Sequence, residues 1–148
     1  MQSNALRDVW APRVLSILRI MTALLLLQYG LAKMIGFPVH EYLNNVPQFS
    51  LPWFAGALEL TGGALLLIGL FTRPVTFILS GLMACAYFIG HAPKGFYPLL
   101  NGGTLAVVLC FLFLYLAFAG GGAWSLDALL RRGKERPDSG GAAAHRAA

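Results

Sequence analysis

The sequence predicts an all-α integral membrane protein: a four-helix bundle with a short outer surface helix and a short C-terminal interfacial helix. Three observations carry this reading. First, 57% of the 148 residues are hydrophobic and only 11% charged, against about 25% charged in soluble domains. Second, apolar segments at 14–35, 53–71, 75–92 and 99–119 are each near the ~20 residues that a helix needs to cross a hydrocarbon core. Third, Pro38, Pro47, Pro52, Pro74, Pro93 and Pro98 all fall between these segments, where proline starts or ends helices without breaking one.

The first segment is read as a retained helix, not a secretory leader: Arg19 lies inside it and no small-x-small cleavage site follows before Lys33. Arg19 is expected to snorkel its charge to the headgroups. Between segments one and two, Val39, Tyr42, Leu43 and Val46 recur at helical spacing, which predicts the surface helix. After the fourth segment, Gly120 to Gly122 break the helix and Ser125 caps a new one. Trp124, Leu126, Leu129 and Leu130 are expected to face lipid, and Arg131 and Arg132 headgroups. The domain therefore spans residues 1–130, and 131–148 form a basic tail with too little bulky apolar content to pack.

Charge placement gives an orientation. With four alternating helices, Arg7, Arg13, Arg19, Arg73, Arg131, Arg132, Lys134, Arg136 and Arg146 share one side, leaving Lys33 and Lys94 on the other. The positive-inside rule puts both termini in the cytoplasm. The net charge of +5 thus reflects topology and contact with anionic lipid, with no basic, aromatic-interleaved patch for nucleic acid.

Within GALELTGGALLLIGLFTR at 56–73, Glu59 is the only charge before Arg73. A carboxylate near mid-membrane costs about 2.5 to 3.5 kcal/mol on insertion scales, so Glu59 should face protein. Ala55, Gly56, Gly62 and Gly63 share its face and permit close helix approach. Lys33, His91, Asn101 and Thr104 lie at a similar height on the other helices, with Tyr29 and Tyr87 one turn deeper than Lys33 and His91. Glu59 is expected to pair with Lys33 in an outward-facing polar pocket; the alternative is that the pair only fastens two helices. No catalytic residue is assigned.

Cofactor readings fail on residue supply. His91 is the one histidine near membrane depth, His40 lying in a loop and His145 in the tail. Cys85 and Cys110 form no CxxC, so metal, haem and iron–sulfur sites are not expected. A Cys85–Cys110 disulfide is geometrically conceivable; packing as small apolar residues is the main expectation.

GLAKMIGF at 30–37, ELTGGALLLIGLFTRP at 59–74, AYFIGHAPKGFYPLLNGG at 86–103 and GGGAWSLD at 120–127 together resemble the DoxX family of small bacterial membrane proteins. That resemblance implies a four-helix membrane protein with no cofactor of its own. Relatives include a subunit of a thiosulfate:quinone oxidoreductase and proteins linked to quinol oxidase or thiol-stress systems. Many members carry glutamate directly after NGG, where this sequence has Thr104, so Glu59 has no second carboxylate for a paired-acid mechanism. The implied function is a small membrane subunit of an oxidoreductase complex that binds quinone or a sulfur compound, working with a partner subunit or as a homo-oligomer. An assembly scaffold without a ligand site, and a transporter of small solutes or lipids with discontinuous helices at its site, are the alternatives.

Overall fold

The computed structural model describes residues 6–134. Helix α1 (Ala11–Ile35) continues a π-helical start at Leu6–Trp10 and ends where Gly36 turns left-handed. Its 25 residues give a rod of roughly 37 Å, enough to cross a membrane and enter both headgroup layers. Helix α2 (Leu51–Ile68) starts on Ser50, whose hydroxyl accepts from Trp53 N, with Pro52 in the first turn where no N–H is missed. Helix α3 (Thr72–Cys85) runs on through a π-helical stretch, Ala86–His91, and a 3-10 turn, Ala92–Lys94. The one-turn α4 (Pro98–Asn101) precedes α5 (Thr104–Ala119), and α6 (Leu126–Lys134) follows a glycine-rich turn.

The helices pack as two close pairs, α1 on α2 and α3 on α5, joined by a thinner α2–α3 contact. Ala23, Leu26, Leu66, Leu79, Met83, Leu109, Phe113 and Leu116 form the shared core. At the α1–α2 crossing a Cβ on Gly30 would lie 2.6 Å from Leu60 N, so backbone meets backbone there and only glycine fits. The outer faces are apolar: Met21, Leu24, Phe77, Ile78, Val108 and Phe111 are all exposed. A belt of that kind is stable in lipid and not in water.

Three continuous helical stretches, Leu6–Ile35, Leu51–Ile68 and Thr72–Lys94, are long and apolar enough to cross a membrane. The fourth crossing differs from the unbroken segment expected at 99–119. Gly102 adopts φ 74° and ends α4 by taking the Pro98 carbonyl, so α5 alone has 16 residues, about 24 Å. The second segment also stops early, at Ile68, because Gly69 (φ 72°) and Phe71 (φ 50°) turn the chain directly into α3. In place of the expected outer surface helix, residues 41–45 form hydrogen-bonded turns. Asn44 explains this: its amide donates to Gly36 O and accepts from His40 N, competing with helical bonds in a segment too short to nucleate. The C-terminal helix forms as expected, with Ser125 Oγ accepting from Ala128 N at 3.2 Å. It extends through Lys134, so the boundary expected at residue 130 falls inside it. The tail beyond residue 134 lies outside the described residues.

Arg19 does not snorkel. It is fully buried, and its guanidinium donates to Gly121 O (2.9 Å), Leu67 O (2.7 Å), Trp124 O (3.0 Å) and Leu66 O. Leu66 and Leu67 sit in the last turn of α2, where carbonyls lack intrahelical partners and carry the negative end of the helix dipole. Eight residues into α1, about 12 Å, the side chain is deep enough to reach this ring of carbonyls. Ser16 adds a second tie, accepting from Trp124 N at 3.0 Å, and Ala123 N donates to Pro12 O at 3.0 Å.

Asp127 completes this end by accepting from Phe71 N (2.9 Å) and Thr72 N (2.8 Å), which caps α3 from a distant part of the chain. Burial pushes its carboxyl up, but these N–H groups and the charge of Arg131 outweigh that, so it titrates below its ordinary value. A depressed native pKa contributes stability that is full above the unfolded value, ~3.9, and is lost as pH falls through the native value. The thermal midpoint in detergent should therefore drop as pH is lowered below about 4. Asp127→Asn should be less stable at neutral pH and should lack that part of the drop, so the two curves converge in acid. Curves that stay parallel would exclude the cap as their source.

Candidate functional site

Lys33 projects from the last turns of α1 and Glu59 from the middle of α2. The Lys33 ammonium donates to both carboxylate oxygens, at 2.7 and 2.8 Å. Among the described residues this is the one ion pair. The fit depends on a missing side chain: a Cβ on Gly56 would lie 2.8 Å from Lys33 Cβ, so glycine makes room for the lysine stem. The two partners are not equally enclosed, the Lys33 side chain being 13% exposed and that of Glu59 5%. An ammonium has three N–H donors. Two go to Glu59, and among the described residues the third has no acceptor.

The other expected site residues do not join this pair. His91 Nδ1 lies 3.1 Å from Asn101 O, Asn101 Nδ2 donates to Gly95 O at 2.8 Å, and its Oδ1 accepts from Gly103 N at 2.8 Å. Tyr87 Oη donates to Phe96 O at 3.1 Å. His91 and Tyr87 fasten the 95–103 segment to the end of the third crossing and the Asn101 side chain closes that segment on itself; among the described residues no hydrogen bond links them to Lys33 or Glu59. Thr104 is exposed and Tyr29 half-buried, and among the described residues neither hydroxyl has a hydrogen-bond partner. The polar residues expected to share one pocket thus form two hydrogen-bonded groups, since helix height gives depth and not direction around a bundle. The helix break at Gly102 belongs to the His91–Asn101 group, apart from Lys33–Glu59.

Among the described residues no three His, Cys, Asp or Glu side chains assemble into a metal-sized cluster. Cys85 and Cys110 are free, which removes the disulfide reading. Cys110 instead packs beside Ser80, whose hydroxyl donates to the Cys110 carbonyl at 2.8 Å. Sequence reasoning gathered these arginines on one side but missed the clamp that holds Arg19 and the open groove that Arg7, Arg13, Arg73, Arg131 and Arg132 surround. The available signal was Arg19 itself, a charge as isolated in its apolar helix as Glu59 is in its own.

Helices long and apolar enough for a bilayer, a lipid-facing hydrophobic belt and one ion pair sealed between two of the helices define a small polytopic membrane protein. The chain belongs to the DoxX family, whose model matches residues 14–92 and so contains Lys33, Glu59 and His91. It is also 43% identical over 124 residues to an uncharacterized protein of Haemophilus influenzae, a match covering 81% of this chain and 92% of the relative. No solved structure matched the chain.

The contact between Lys33 and Glu59 predicts coupled energetics. Removing one member of a buried pair strands the other charge and costs about 3 to 5 kcal/mol, whereas removing both costs less. Glu59→Gln and Lys33→Met should each lower the thermal midpoint in detergent, with the double variant recovering part of the loss. Additive losses would show that the pair contributes no coupling.

Proposed function

We propose that this DoxX protein is a small membrane subunit of an oxidoreductase complex, presenting Lys33 and Glu59 to a quinone or an oxygen-bearing sulfur compound. The observation that carries the reading is the third N–H of the Lys33 ammonium, left over by a carboxylate that takes two, on the partner that is less enclosed. Such a donor binds a carbonyl or sulfur-bound oxygen. Glu59, in contact with the same ammonium, is placed to exchange a proton with the bound group through it. Quinone reduction takes up a proton for each electron, and the sequence contains no CxxC, haem or iron–sulfur ligand set, so the electrons in this reading come from a partner subunit.

A second reading has its own support. Both Glu59 oxygens are satisfied by Lys33, while His91, Asn101 and Tyr87 are engaged with backbone, as in a scaffold whose polar groups only hold helices together. The two readings separate in the native complex. At a ligand site, Lys33→Met loses a charged hydrogen bond, so quinone-dependent activity per assembled complex should fall about tenfold to a hundredfold. In a scaffold the yield of complex falls instead, and activity per assembled complex is unchanged.

We also infer an inner-membrane location with both termini cytoplasmic, supported by the gathering of Arg7, Arg13, Arg73, Arg131 and Arg132 at the end opposite Lys33. In a background with Cys85 and Cys110 replaced, Asn44→Cys should react with an impermeant thiol reagent in spheroplasts, and Lys134→Cys only after lysis. The reverse pattern would invert the topology.

A further inference from the structure

The arginine-rich end carries a groove that the Lys33–Glu59 reading does not use. It encloses about 800 Å³ and opens between the start of α1 and the end of α5, with the 121–124 turn and α6 forming its far wall. Arg7, Arg13, Arg73, Arg131 and Arg132 line it, drawn from three distant stretches of chain, with Asp8 as the one acid. Among the described residues none of these arginines lies within 4.0 Å of a carboxylate oxygen. Asp127, beside them in an adjoining hollow, has both oxygens occupied by Phe71 N and Thr72 N. Five cations around one cavity repel one another unless an outside anion joins them, and guanidinium groups bind phosphate oxygens in paired hydrogen bonds.

The lining is amphiphilic. Below the arginines the wall is Leu15, Tyr115, Ala119 and Ala128. Helices α1 and α5, which both line the groove, scarcely touch each other, and Tyr115 in its wall is exposed. Exposed Trp124, Leu129 and Leu130 mark the same level as the membrane interface. An inorganic anion would use only the cations; a phospholipid uses the cations and the apolar wall together.

We propose that this groove is a binding site for an anionic phospholipid, its phosphate held among Arg73, Arg131 and Arg132 and an acyl chain lying along Leu15 and Tyr115. The test uses the full chain in neutral detergent, with dioleoyl phosphatidylglycerol titrated in and thermal midpoint and native mass spectrometry as readouts. The midpoint should rise to saturation and discrete protein–lipid adducts should survive. Dioleoyl phosphatidylcholine and inorganic phosphate at matched concentration should do neither. Arg131→Gln should shift the half-saturating lipid concentration about fivefold, and the Arg73, Arg131, Arg132 triple Gln variant roughly a hundredfold. Lys134→Gln removes the same charge outside the groove and should leave the titration unchanged.

Where the triple variant does not fold, Arg131→Gln against Lys134→Gln decides. An equal response to phosphatidylcholine would make the effect bulk solvation. Reproduction by inorganic phosphate would make the groove a free-anion site, and equal shifts in Arg131→Gln and Lys134→Gln would make the attraction diffuse. Each of these outcomes overturns the proposal.

Discussion

The buried Arg19 guanidinium is the constraint around which one whole end of the molecule is arranged. An arginine without water must find acceptors for its N–H groups, and each unfilled bond at that depth costs more than an ordinary hydrogen bond returns. Four backbone carbonyls supply them: two from the end of α2 and two from the turn between α5 and α6. Those carbonyls have room for it: a carbonyl has two lone pairs, so Leu66 O accepts from Arg19 as well as from Gly69 N, while Leu67 O at the helix end has no such backbone donor. The arginine therefore fixes three things at once. It places α2 against α1, draws the 121–124 turn inward, and so positions α6 for Asp127 to cap α3.

Seen along α1, the molecule has a charged tie near each end and a glycine-lined contact between them. Arg19 grips backbone at one end, and Lys33 grips the Glu59 carboxylate near the other. The ties differ in kind. Backbone carbonyls do not titrate, so the acceptors at the Arg19 end are the same at any pH, whereas a carboxylate can be protonated and an ammonium can share its donors. A structural joint and an exchangeable one occupy the same pair of helices, which is why the chemistry is sought at Lys33 and Glu59 and the architecture at Arg19.

Much of this was legible in the sequence, for physical reasons that also mark where legibility ends. A carboxylate alone in an apolar run has to be paired, and Lys33 was the cation at its height, so that contact could be read directly. Arg19 obeyed the same rule but sat near a helix start, where a long side chain can reach headgroups, and its true acceptors are backbone atoms that no residue type announces. Counting residues along helices gave depth but not direction around the bundle, so it did not reveal that His91, Asn101 and Tyr87 bond to backbone carbonyls of the 95–101 stretch and not to Lys33 or Glu59. Val39, Tyr42, Leu43 and Val46 have helical spacing, yet the Asn44 side chain outcompetes the helix within its own short loop. The paired glycines before Thr104 lay inside an apolar stretch and looked like membrane-helix glycines, while Gly102 uses its freedom to break the helix.

The Arg19 clamp also sets an order in time. Arg19 and Gly121 are 102 residues apart, and Trp124 is farther still, so during synthesis the first helix enters the bilayer long before half of its acceptors exist. The α2 carbonyls arrive next and satisfy part of the guanidinium. The rest waits until the 121–124 turn has left the ribosome. A chain stopped before that turn thus displays an arginine with unpaired N–H donors inside the membrane, a chemical mark of incompleteness that vanishes only when the 121–124 turn docks.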